Sequence, residues 1–301
     1  MENKTKSGFV SIIGRPNVGK STLMNKIIGQ KIAITSSKPQ TTRTKISTVY
    51  TKGNTQMVFV DTPGLHKAKN KLGESMVSTA KRTFNESDVC LYLTEAEPFI
   101  GEQDENILSL LRTVSIPVIL VITKTDKYEK EKVFKAIELF SKQMDFADVV
   151  PLSAKNGRNI DTLLEVIEKF IPEGPFYYDP DTLTDQPERQ VVSEIIREKC
   201  LRCLGDEIPH GIAVVIDIFD FSKNTVYIEA SIICERETHK GMIIGKGASK
   251  IKEIGTYARN DIEKLLDKKV NLKLFVKTKE NWRDSEYLLK NFGFLAEERN
   301  E

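Results

Sequence analysis

From residue 8 to residue 171, short apolar runs alternate with stretches that are apolar on one side only. The runs at 8–13, 44–51, 56–60, 88–94, 117–123 and 147–151 are too short for helices, and the spacing predicts strands. The stretches at 20–29, 71–86, 102–113, 127–143 and 159–170 repeat their apolar residues at helical intervals. Strand and helix in turn imply an α/β domain with a mostly parallel sheet and helices on both faces. On such sheets ligands gather at the carboxyl ends of the strands.

The pattern stops at Ile171. From there to Pro187 the chain is rich in proline and acidic residues and has neither period, so a linker is expected. It restarts with a helix over 188–204, strands over 212–220 and 225–234, a helix running to about Leu266, a strand over 270–277 and a terminal helix from Trp282. The order α-β-β-α-α-β describes a second, α+β domain. The expected boundaries are 1–172, a linker of 173–187, and 188–301.

Composition narrows this picture only a little. A chain of 301 residues is long enough for two cores. The net charge of +2 leaves any polyanion-binding surface to a local patch. No apolar run has membrane-spanning length, and the polar start, MENKTKSG, is unlike a secretion signal. Four cysteines do not make a disulfide framework. Cys200 and Cys203 fall in a helical pattern with no second pair, so they read as ordinary helix residues in a reducing cytoplasm.

Chemistry enters at Gly14–Thr22, GRPNVGKST. It follows a strand, opens a helix and fits the phosphate-binding loop G-x-x-x-x-G-K-[ST]. Gly14 and Gly19 permit the tight turn. The backbone of Arg15, Asn17 and Val18 can then point amide hydrogens at phosphate oxygens, while Pro16, which has no N–H, helps to fix the turn between them. Lys20 brings a positive charge to the outer phosphates, Ser21 a hydroxyl for Mg²⁺, and the helix from Lys20 through Thr22 its positive end.

Three further stretches follow in order. Asp61-Thr62-Pro63-Gly64 ends a strand, so Asp61 can hold Mg²⁺ and the Gly64 amide can reach a γ-phosphate. Thr123-Lys124-Thr125-Asp126 ends another, and a carboxylate at 126 can accept from N1–H and N2–H of guanine. Adenine offers neither donor. Asparagine is the usual residue where this chain has Thr123, so weaker base binding is expected with base choice unchanged. Ser153-Ala154-Lys155 closes the set, with backbone amides for the guanine O6. Among the polar residues 36–46, Thr42 is the favoured switch hydroxyl for Mg²⁺ and the γ-phosphate, with Thr41 next. Taken jointly, the spacing describes a GTPase with Lys20, Thr42 and Gly64 as its catalytic groups.

In the second half, Ile244-Gly245-Lys246-Gly247-Ala248 leads into a helix bearing Lys250 and Lys252. This resembles a KH domain of the prokaryotic type (type II), whose G-x-x-G loop clamps single-stranded nucleic acid. Ala248 stands where the motif has glycine. The rival reading is a GTPase whose second domain docks a protein partner, and the cationic loop argues against it.

The full set, with KPQTTR in the switch loop and LFVKTKENWRDSEYLLKNFGF near the end, is similar to the Era GTPases over nearly the whole chain. The resemblance implies a GTP/GDP switch with Mg²⁺ that binds small-subunit ribosomal RNA near its 3′ end and acts in assembly of the small ribosomal subunit. It implies a cytoplasmic monomer with peripheral association at the inner face of the membrane. It also places Arg283 with the RNA-binding residues. Asn17 matches a position where related GTPases ligate potassium, so K⁺ is a further expected cofactor. Leu65 stands where many GTPases carry a water-orienting glutamine, so slow intrinsic hydrolysis is expected.

Overall fold

The computed structural model describes residues 4–30, 46–61, 70–74, 83–84, 86–204, 211–221 and 224–294. They form two compact units. Unit 1 takes in most of the chain to Asp185, and unit 2 runs from Gln186 and also includes residues 70–74.

Unit 1 is a six-stranded sheet in the order β2-β3-β1-β4-β5-β6. Its strands are β1 (Lys6–Gly14), β2 (Ile46–Lys52), β3 (Thr55–Asp61), β4 (Val89–Glu95), β5 (Val118–Thr123) and β6 (Asp148–Pro151). Only the β2–β3 pair is antiparallel. The central strands are apolar almost throughout because both faces are covered. On one face Val10, Ile12, Leu91 and Val121 pack with α1 (Lys20–Ile28) and α4 (Ile160–Glu168). On the other, Ile13, Tyr92, Leu120 and Ile122 pack with α2 (Glu102–Leu111) and α3 (Lys130–Ser141). The alternation of strand side chains assigns neighbours in sequence to opposite cores. The carboxyl ends of β1, β3, β4 and β5 are Gly14, Asp61, Glu95 and Thr123. Parallel pairing brings these ends to one edge of the sheet.

Residues 172–184, which carry no pattern of their own, are bound to this sheet through backbone groups. The Ser7 amide donates to the Pro172 carbonyl (3.1 Å) and the Val49 amide to that of Leu183 (2.9 Å). The wholly buried Gln56 accepts from the amides of Tyr177 (2.9 Å) and Tyr178 (3.0 Å) and donates to the Tyr178 carbonyl (2.9 Å). The Tyr177 ring packs at a tilt against Phe9, with ring centroids 4.9 Å apart.

Unit 2 is a three-stranded sheet, β7 (Ala213–Asp220), β8 (Thr225–Cys234) and β9 (Lys269–Thr278), antiparallel then parallel. Its core joins Val192, Ile195 and Ile196 of α5 (Glu188–Cys203) to Ile254, Ala258 and Ile262 of α7 (Ser249–Leu266). The four-residue spacing of the α7 trio places them on one helix face. β9 turns Val270, Leu272, Leu274 and Val276 toward this core and exposes Lys269, Lys273 and Lys277. The short α6 (Glu237–Ile244) ends at the glycine loop, and α8 (Glu286–Asn291) closes the described part. Among the described residues no helix is long and apolar enough to cross a membrane.

Candidate functional site

The loop from Gly14 to Lys20 has the backbone a phosphate cradle needs. Asn17 (φ 66°) and Gly19 (φ 106°) both adopt positive φ. At Gly14 a Cβ would stand 2.4 Å from the Leu93 carbonyl oxygen, so only glycine fits. The Lys20 ammonium donates to the carbonyls of Gly14 (3.0 Å) and Arg15 (3.1 Å). Burial lowers its pKa, and the nearby Asp61 carboxylate works against that shift. The loop is also braced from outside. Arg15 Nε lies 3.1 Å from Oδ1 of the fully buried Asp104, which also accepts from the Tyr92 hydroxyl at 2.9 Å. Sequence reasoning missed Asp104, because nothing in a helical stretch marks one acid as buried.

Ser21 and Asp61 meet, as residues sharing one Mg²⁺ would have to. The Ser21 hydroxyl donates to Asp61 Oδ2 at 3.4 Å, and Asp61 is wholly buried at the end of β3. A hydroxyl beside a buried carboxylate is a hard-oxygen donor set that suits Mg²⁺.

At the far side of the loop, β5 delivers the base-reading segment. Ser153 Oγ donates to Asp126 Oδ1 at 2.6 Å and accepts from the Asn156 amide at 3.2 Å. The Ser153 hydrogen bond, aided by Lys155 and Lys127, lowers the Asp126 pKa. The carboxylate is therefore ionised and fixed in direction, as an acceptor for two guanine donors must be. Lys124, at φ 56°, pairs with Glu95 on the adjacent strand, and the Tyr128 hydroxyl donates to the same carboxylate at 3.0 Å. Glu95 was also missed. Its signal was its place at the carboxyl end of a parallel strand, where ligand-binding groups collect. Thr123, 3% exposed, donates its hydroxyl to the carbonyls of Val18 (2.7 Å) and Thr94 (3.0 Å). It ties the base-reading segment to the phosphate loop.

The structure thus brings together the loop from Gly14 to Thr22, Asp61, Thr123, Lys124, Asp126 and Ser153 to Lys155. Thr41, Thr42, Thr62, Pro63, Gly64 and Leu65 lie outside the described residues.

In unit 2, Gly245 (φ 72°), Gly247 (φ 60°) and Ala248 (φ 61°) all adopt positive φ. A Cβ on Gly245 would sit 2.9 Å from the Lys250 amide nitrogen. Ala248 adopts the left-handed backbone that favours glycine at the start of α7. Lys246 and Lys252 are exposed, and Lys250 pairs with Glu253 at 2.8 Å. Arg283 is held by an acidic partner. Its guanidinium makes a two-pronged bond to Glu235 (2.9 and 2.6 Å), while the adjacent Trp282 is buried and donates to the Gly211 carbonyl at 3.1 Å. The geometry gives Arg283 the task of fastening the terminal segment to the end of β8.

Comparison with known proteins identifies relatives of both units. The family described as 50S ribosome-binding GTPase matches residues 9–124, and the KH domain matches residues 207–283. The chain is 53% identical to GTPase Era of Clostridium novyi, over 96% of this chain and 99% of that one. It is 51% identical to GTPase Era of Clostridium beijerinckii, over 97% and 98%. Among solved structures, a variant Era of Aquifex aeolicus bound to GDP.AlF4- is 38% identical, with a TM-score of 0.93 over 97% of this chain and 100% of that one. An Era in complex with MgGDPNP and nucleotides 1506–1542 of 16S ribosomal RNA gives the same identity, coverage and TM-score.

Proposed function

The chain belongs to the Era family of GTPases, and on that premise we propose that it is a GTP-hydrolysing switch that binds small-subunit ribosomal RNA near its 3′ end and acts in assembly of the small ribosomal subunit. The observation that carries the nucleotide half is the fixed, ionised Asp126, oriented by Ser153 at 2.6 Å and joined to the phosphate loop through Thr123.

Each group has a task. Loop amides and Lys20 bind the phosphates, and Lys20 exchanges two backbone carbonyls for phosphate oxygens. Asp126 selects guanine. Ser21, Asp61 and the expected Thr42 would hold Mg²⁺, which neutralises phosphate charge when bound. With no glutamine at 65, this chain's own contribution to hydrolysis is charge compensation and positioning. Gly245 to Ala248, with Lys246 and Lys250, clamps the RNA backbone, and Lys252 extends the positive surface along α7. The work on ribosomal RNA places the protein in the cytoplasm. Peripheral contact with the inner face of the membrane belongs to the same reading, and flotation with anionic vesicles tests it.

The test of the whole reading is a titration of the full chain with a 3′ fragment of small-subunit ribosomal RNA, in the GTP-analogue and GDP forms. Binding in the nanomolar to micromolar range that weakens as salt rises is expected. Salt-independent binding no stronger than to a scrambled RNA would move the second unit to protein docking.

A further inference from the structure

Guanine presents N1–H and N2–H donors on one edge and two acceptors, O6 and N7, on the other. Asp126 answers the donors, and the Ser153–Lys155 amides are placed to answer O6. The remaining acceptor, N7, needs a donor, and Thr123, at the carboxyl end of β5 three residues before Asp126, is the candidate side chain. The structure shows how its hydroxyl is used. It is buried, and its oxygen lies 2.7 Å from the Val18 carbonyl and 3.0 Å from the Thr94 carbonyl.

A hydroxyl has one hydrogen, whereas a carboxamide has two. An asparagine at 123 could give one hydrogen to the phosphate loop and keep one for the base. Threonine has to choose, and here its hydrogen is shared between two backbone carbonyls. Only lone pairs remain, and they form no bond with the N7 lone pair. Movement of the hydroxyl toward the base would leave the Val18 and Thr94 carbonyls without this donor in a buried site, which costs more than one new bond returns. The Lys124–Glu95 pair and the Tyr128 hydroxyl hold the neighbouring residue and oppose such a shift.

We propose that Thr123 gives this chain a guanine site that does not read the purine N7, so that base selection rests on Asp126 and the O6-facing amides alone. Guanine nucleotides that lack the N7 lone pair, such as 7-deaza-GDP, are then ligands equal to the natural ones. The inference rests on the guanine-site reading above, and the two are tested separately.

Binding of GDP, 7-deaza-GDP and ADP to the full chain is measured by calorimetry with Mg²⁺ present. The guanine-site reading fails if ADP binds as well as GDP. The N7 inference is judged by the ratio of dissociation constants for 7-deaza-GDP and GDP. It is expected within about twofold of one for the natural chain, and about threefold or more for Thr123→Asn, which regains a donor. A ratio of threefold or more in the natural chain overturns the inference. So does a ratio near one in a Thr123→Asn protein that binds GDP, because residue 123 would then not face N7. Thr123→Val covers the case in which the asparagine variant does not fold. It should bind GDP more weakly, having lost the loop tether, with the ratio still near one. A change of ratio in Thr123→Val overturns the inference.

Discussion

Asp126 shows how neighbours ready one side chain for the base-reading task proposed for it. The Ser153 hydrogen bond holds its pKa below the ordinary carboxylate value. A depressed pKa keeps the charged form at neutral pH and loses it only as pH falls through that lowered value. GDP binding should therefore be flat from neutral pH down past the usual carboxylate range, then fall on the acid side, and titrations across that range check it. Asp126→Asn replaces one acceptor oxygen with an NH₂ group that opposes the guanine N2 amine. Xanthine carries an oxygen at that place. GTP affinity should drop by about a hundredfold or more, with xanthosine triphosphate becoming the better ligand in competition assays. Retained GTP affinity would remove Asp126 from the base site. Asn17 is a different kind of test. Its φ of 66° is tolerated by asparagine better than by alanine, so Asn17→Ala perturbs the loop whatever else the side chain does. The informative quantity is the ratio of hydrolysis rates in KCl and NaCl at equal ionic strength. A ratio above one that falls to one in Asn17→Ala supports a potassium ligand, and equal rates in the natural chain exclude it. Residues of this kind were legible because their chemistry fixes type and spacing together. Glu95 and Asp104 were not, since their partners Lys124 and Arg15 are brought to them by the sheet and not by proximity in sequence.

Elements were legible wherever side chains face two different surroundings. The apolar period of α7 predicts its buried Ile254, Ala258 and Ile262, and the apolar runs predict strands covered on both faces. Residues 172–184 show the opposite case. They are held to unit 1 by backbone amides and carbonyls and by Gln56, and backbone bonding leaves no side-chain period to read. Gln56 should therefore matter beyond its size. Gln56→Leu removes both halves of its bonding to Tyr177 and Tyr178 and should destabilise unit 1 by about 1–3 kcal/mol, measured by denaturant unfolding. At the glycine loop the element imposes a backbone on a residue that resists it. Ala248 sits at φ 61°, where an L-residue costs about 1–2 kcal/mol, partly offset because glycine loses more chain entropy on folding. Ala248→Gly is expected to raise the stability of the second unit by up to about 1 kcal/mol and to leave the loop path, and hence RNA binding, intact or stronger. A loss of RNA affinity in that variant would mean that the methyl itself contacts the RNA.

At the scale of the whole molecule, Asp61 belongs to the first unit and residues 70–74, within ten residues of the end of β3 along the chain, belong to the second. There the Lys71 ammonium bonds Glu286 at 2.6 Å and the Lys71 amide donates to Asp284 at 3.2 Å. Each partner favours the charged form of the other: Glu286 raises the Lys71 pKa, and Lys71 lowers that of Glu286. Both side chains are exposed, so the pair contributes little to stability and is screened by salt. Its interest is positional, because it fixes the segment that follows Asp61-Thr62-Pro63-Gly64 to the unit that carries the RNA loop. A covalent path this short lets the nucleotide state bias the second unit only if its far end is held. RNA affinity measured with a GTP analogue and with GDP should differ by about fivefold or more in the natural chain. Glu286→Lys should bring the two affinities together without changing GDP binding, and Lys71→Glu combined with Glu286→Lys should restore the difference. High salt should mimic the single variant, beyond the uniform weakening that salt imposes on every RNA contact. A nucleotide effect that survives Glu286→Lys unchanged would show that the coupling runs through other residues, and the Lys71–Glu286 pair would then be a surface contact without a part in the switch.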